Sequence, residues 1–143
     1  MRTRAVIDES LRLYPPAFVI VRQALDDDEA GGVPVRKGSL VLIAPWILHR
    51  HRRFWAAPER FDPPRFMPDA VPPPRFAYMP FGAGPRICVG APFALTELVL
   101  VVATLVRRFR IELASRRMVH PVAFVTLQPD LPPAFQLTPR RSG

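Results

Sequence analysis

The chain has 143 residues, enough for one domain with a real core, and its 49% hydrophobic and 22% charged content is that of a soluble globular protein. A single cysteine excludes an internal disulfide and any multi-cysteine zinc or iron–sulfur site. The net charge of +8 raises nucleic-acid binding, but the basic residues, all arginine except Lys37, are scattered without an aromatic-interleaved stripe.

Residues 4 to 14 predict a helix, with Glu9 and Arg12 three apart and Pro15-Pro16 ending it. The pattern opens without an N-cap, so Met1 is expected partway into that helix. "AFVIVRQA" (17–24) is β-branched and short enough for a strand, "DDDEAGG" (26–32) reads as a solvated turn, and "VPVRKGSLVLIA" (33–44) adds a hairpin turn at Lys37-Gly38 and a further strand. Together these predict a small antiparallel sheet. From Pro45 to Pro80 a short helical piece precedes a proline-punctuated meander without sustained period, whose Phe61, Phe66, Phe76, Tyr78 and Phe81 argue for order. A helix over about 91 to 108, with Pro92 in its first turn, is apolar almost all round and is expected to be buried on most faces. Residues 109 to 139 predict two or three short strands. The most apolar run, 98 to 106, is far shorter than the ~20 residues of a membrane span, and no signal peptide is visible. A soluble, cytoplasmic chain is expected.

The lone thiol, Cys88, sits in "MPFGAGPRICVGAPFALTE" (79–97). Gly82, Gly84 and Gly90 allow close backbone approach or positive φ. The helix that follows turns its positive end toward the sulfur and favours the thiolate. Arg86 adds a cation two residues away. A single thiolate with an open, flat neighbourhood suits an axial haem ligand. A thiol redox protein and a basic nucleic-acid module are the alternatives.

"FGAGPRICVG" fits F-x-x-G-x-R-x-C-x-G, "ESLR" fits E-x-x-R, and "FDPPRF" follows as a meander motif. From about residue 4 to 139 the chain thus resembles the C-terminal, haem-binding portion of the cytochrome P-450 family of haem-thiolate monooxygenases. The resemblance implies a mainly α fold with small antiparallel β-sheets, residues 1–143 forming part of one domain whose N-terminal two-thirds is absent. It implies haem b with Cys88 as proximal iron ligand, Phe81 beside the sulfur and Arg86 on a propionate. Glu9, Arg12 and Arg65 become a buried structural cluster. Arg22 and His49 are read either as further propionate contacts or as plain surface groups. An electron-donor protein, a ferredoxin or flavoprotein reductase, is expected on the proximal face. The distal helix with its acid–alcohol pair belongs to the absent part, so the isolated chain is expected to be inactive.

Overall fold

The structure, a computed structural model, describes residues 2–115 and 117–140; Met1, and with it the expectation that it lies inside the first helix, falls outside the described residues. Helix α1 (Arg2–Leu13) buries Ala5, Ile7, Leu11 and Leu13. An Arg4–Asp8 pair one turn apart, at 2.7 Å, runs from the exposed Arg4 to the buried Asp8. The helix stops where Pro15 and Pro16 cannot continue it.

Strands β1 (Ile20–Gln23), β2 (Asp28–Ala30), β3 (Val33–Val35) and β4 (Leu40–Ile43) form two nested antiparallel ladders, β1 with β4 outside and β2 with β3 inside. Two expectations are corrected here. The acidic stretch is a turn only in part: Asp28–Ala30 is strand, and the reversal falls on Gly31 and Gly32, both at positive φ, which suits a two-residue hairpin loop. Lys37-Gly38 therefore does not close a hairpin between paired strands; it carries the chain from the inner ladder to the outer one.

After α2 (Pro45–Leu48) the meander contains one 3-10 turn, Pro63–Phe66, laid against α1. Trp55, Ala77 and Met79 join the apolar residues of α1 to make the core. The rings of Trp55, Phe66 and Tyr78 pack on one another at centroid separations of 4.8 to 6.4 Å. Phe66 and Tyr78 thus order the meander, whereas Phe61 and Phe76 are half exposed.

Helix α3 (Ala91–Arg108) departs most from expectation: none of its described residues is fully buried. It packs mainly on α1 and on β5 (Phe109–Leu113), which cover too little of an all-round apolar surface. Phe93, Leu100, Val101 and Val106 remain exposed. Four short strands, rather than two or three, complete the chain: β5 pairs with β8 (Phe135–Pro139), and β6 (Pro121–Ala123) with β7 (Leu127–Pro129). No helix among the described residues is long and apolar enough to cross a membrane.

Candidate functional site

Two arrangements meet at the end of α1. The first is a buried ion cluster. Arg12 donates a fork to Glu9, Nε to Oε2 at 2.7 Å and Nη2 to Oε1 at 2.9 Å, and both side chains are fully buried. Its remaining donors reach the carbonyls of His49 and Pro58, each at 2.7 Å, and of Arg60 at 3.2 Å. All five guanidinium hydrogens thus have acceptors. Glu9 Oε1 also accepts the Asp62 N–H at 2.7 Å and faces Arg65 Nε at 3.5 Å. The three residues named from the E-x-x-R and meander motifs are therefore brought together. What spacing did not reveal is that most partners of Arg12 are backbone carbonyls of the meander.

The second is a cleft. Pro16, Ala17 and Ile20, from the segment after α1 and the start of β1, face Phe81 and Gly82, and the same cleft is lined by Arg22, Arg86 and Cys88. Cys88 is exposed and free. Gly82 and Gly84 adopt φ of 78° and 72°, the left-handed region where a side chain is strained. They fold the loop into a 3-10 turn, Gly84–Arg86, that ends just before Ile87 and Cys88. The Cys88 N–H donates to Phe81 O at 2.9 Å and closes it. Gly90 differs, with φ of −80°; a Cβ there would lie 3.8 Å from Cys88 Sγ, an ordinary van der Waals contact. Arg22 and Arg86 are both exposed, and the Arg22 guanidinium donates to the neighbouring Val21 carbonyl. The wall of Pro16, Ala17 and Ile20 was not singled out from sequence; its signal is the apolar run that follows the proline pair.

His49 is neither a surface group nor a member of this cleft, which corrects its expected role as a propionate contact. It is fully buried, with Nδ1 3.1 Å from Arg12 O and Nε2 2.9 Å from the Met79 N–H. Both ring nitrogens are engaged and neither is free for a ligand. Desolvation lowers its pKa from 6.5 to about 4, and the charges of Arg12 and Arg50 act in the same direction. Beside it, burial and the Asp8 carboxylate push the Tyr78 hydroxyl well above the ordinary phenol range; it donates to Asp8 Oδ1 at 3.0 Å.

The Cytochrome P450 family profile matches residues 2–135. The chain belongs to the cytochrome P450 family. It is 42% identical over 127 residues to a Mycobacterium tuberculosis protein named as cytochrome P450 132, covering 89% of this chain and 28% of that one. It is 44% identical over 110 residues to cyclooctat-9-en-7-ol 5-monooxygenase of Streptomyces melanosporofaciens, covering 76% and 24%. Pentalenene oxygenase of Streptomyces avermitilis is 34% identical over 142 residues, covering 99% and 32%. The fold superposes on the solved cyanobacterial CYP120A1 with retinoic acid bound at a TM-score of 0.90 and 31% identity, covering 97% of this chain and 32% of that one. The heme domain of cytochrome P450DA superposes at 0.89 and 30%, covering 97% and 31%. The chain spans less than a third of the length of each of these relatives.

Membership of the P450 family implies a haem. The residues present fit one: an exposed thiol lines a mainly apolar cleft, and two arginines share that cleft for acidic groups.

Proposed function

We propose that this chain is the haem-binding portion of a cytochrome P450 monooxygenase, with the Cys88 thiolate as the axial ligand of haem b. The observation that carries the reading is the placement of the exposed Cys88 thiol in one cleft with Arg22, Phe81 and Arg86. When bound, the haem supplies reductive activation of O2 and insertion of one oxygen atom into an organic substrate.

This chain's part is to bind and orient. Cys88 would hold the haem iron through its thiolate sulfur. Arg86 and Arg22 offer forked guanidinium groups to the propionates. Phe81 lines the cleft with the sulfur, and Gly82, Gly84 and Gly90 would allow a flat ring to approach. The Glu9–Arg12–Arg65 cluster ties the meander to α1. A ferredoxin or flavoprotein reductase would be the electron donor, and an arginine-rich chain of net charge +8 suits an acidic docking face on it. Turnover requires the portion of the relatives that this chain does not span, and the isolated 143 residues do not hydroxylate substrate.

The test is the reduced spectrum with and without carbon monoxide after expression with haem, beside Cys88→Ala. A strongly red-shifted Soret band that disappears in the variant is the expected result. A band unchanged by the substitution removes Cys88 as the ligand.

A further inference from the structure

We propose that His49 is a positioning residue for the Cys88 loop, tying the limb that enters the loop to the C-terminal end of α1. The inference rests on the reading of Cys88 as the iron ligand only for its purpose, since the contacts belong to the chain itself.

The Met79 N–H can only donate, so His49 Nε2 is the unprotonated acceptor, and Nδ1 carries the hydrogen and donates to Arg12 O. That carbonyl lies in the last turn of α1, where helix carbonyls lack intrahelical partners. One imidazole therefore satisfies an orphan acceptor of the helix and an amide of the loop limb together. The linkage continues toward the thiol. Gly82 N–H donates to Met79 O at 3.1 Å, and Cys88 N–H donates to Phe81 O at 2.9 Å. Two backbone hydrogen bonds thus relate the amide held by His49 to the residue that carries the sulfur. The ring is also pinned laterally: the Tyr78 ring lies 5.4 Å away, and Tyr78 itself is tied to Asp8 of α1. Arg12 donates to the backbone carbonyl of His49, so the same residue joins the ion cluster on its main chain and the loop limb on its side chain.

The experiment compares the haem-free full chain with His49→Phe, which keeps a ring but removes both hydrogen bonds, and His49→Gln, which keeps one donor and one acceptor. Two readouts are taken: amide hydrogen exchange by segment, and the alkylation rate of Cys88, which is unambiguous because the chain has no other cysteine. With phenylalanine, exchange over 79–88 rises about tenfold and alkylation changes with it, while 2–14 stays within about twofold of the parent. Glutamine restores both. Unchanged exchange over 79–88 with phenylalanine overturns the proposal, as does equal loss in 2–14 and 79–88, which marks a merely structural residue. If the phenylalanine variant does not fold, glutamine decides: protection of 79–88 near the parent's supports the proposal. Selective loss there, or failure to fold, overturns it. Spectra of the haem-loaded parent and Cys88→Ala test the ligand assignment separately.

Discussion

Arg12 is the most heavily committed side chain described here, a cation with no solvent contact and five acceptors. Removing one member of a buried pair leaves the other charged and unpaired. Arg12→Ala is expected to cost about 3–5 kcal/mol in urea unfolding, and Arg12→Lys to recover little, because an ammonium cannot reproduce the fork. His49 carries a different liability. Arg12, Arg50 and the Tyr78 ring surround it, and burial holds it neutral, with a folded pKa of about 4 against 6.5 unfolded. The unfolded chain takes up the proton first as pH falls. Its contribution is therefore complete above about pH 6.5 and is lost progressively toward pH 4, by about 3 kcal/mol in all. Urea midpoints measured across that range should fall for the parent and lose most of this slope in His49→Gln. Sequence reasoning found Glu9, Arg12 and Arg65 because a three-residue spacing and a motif are local signals. It misplaced His49 because "HRHRR" has the character of a charged surface run. The atoms that bury the ring, Arg12 O and Met79 N, come from 37 residues before it and 30 after.

The cysteine loop and α3 show how far composition determines an element. The glycines were legible as a group, but their separate duties were not, since φ is invisible in sequence. Gly82→Ala and Gly84→Ala, both in the left-handed region, are each expected to cost about 1–2 kcal/mol in chemical denaturation and to weaken haem retention. Gly90→Ala, at an ordinary φ and with 3.8 Å to the sulfur, should leave the denaturation midpoint nearly unchanged. The period of α3 stated correctly that its faces are apolar. It did not state what would lie against them, because burial depends on neighbours that a helical pattern does not contain. Leu100 and Val101 are 62% and 49% exposed. Replacing both with glutamine is expected to leave the urea midpoint nearly unchanged and to lower binding of a hydrophobic dye.

At the scale of the molecule, the chain superposes closely on less than a third of each solved relative, and its best-packed region is the contact of α1 with the meander. That contact has a kinetic consequence. The bonds of Glu9 and Arg12 to the meander join residues 37 to 53 positions apart, so each requires a long loop to close first. Early in folding, α1 carries Glu9 and Arg12 as an ordinary hydrated pair, and stripping their water is deferred until the meander arrives. That dehydration then falls on the native side of the barrier, and a chain rich in such distant pairings folds slowly for its size. Substitutions at Arg12 should accordingly act more on the rate of unfolding than on the rate of folding, the signature of contacts completed after the transition state.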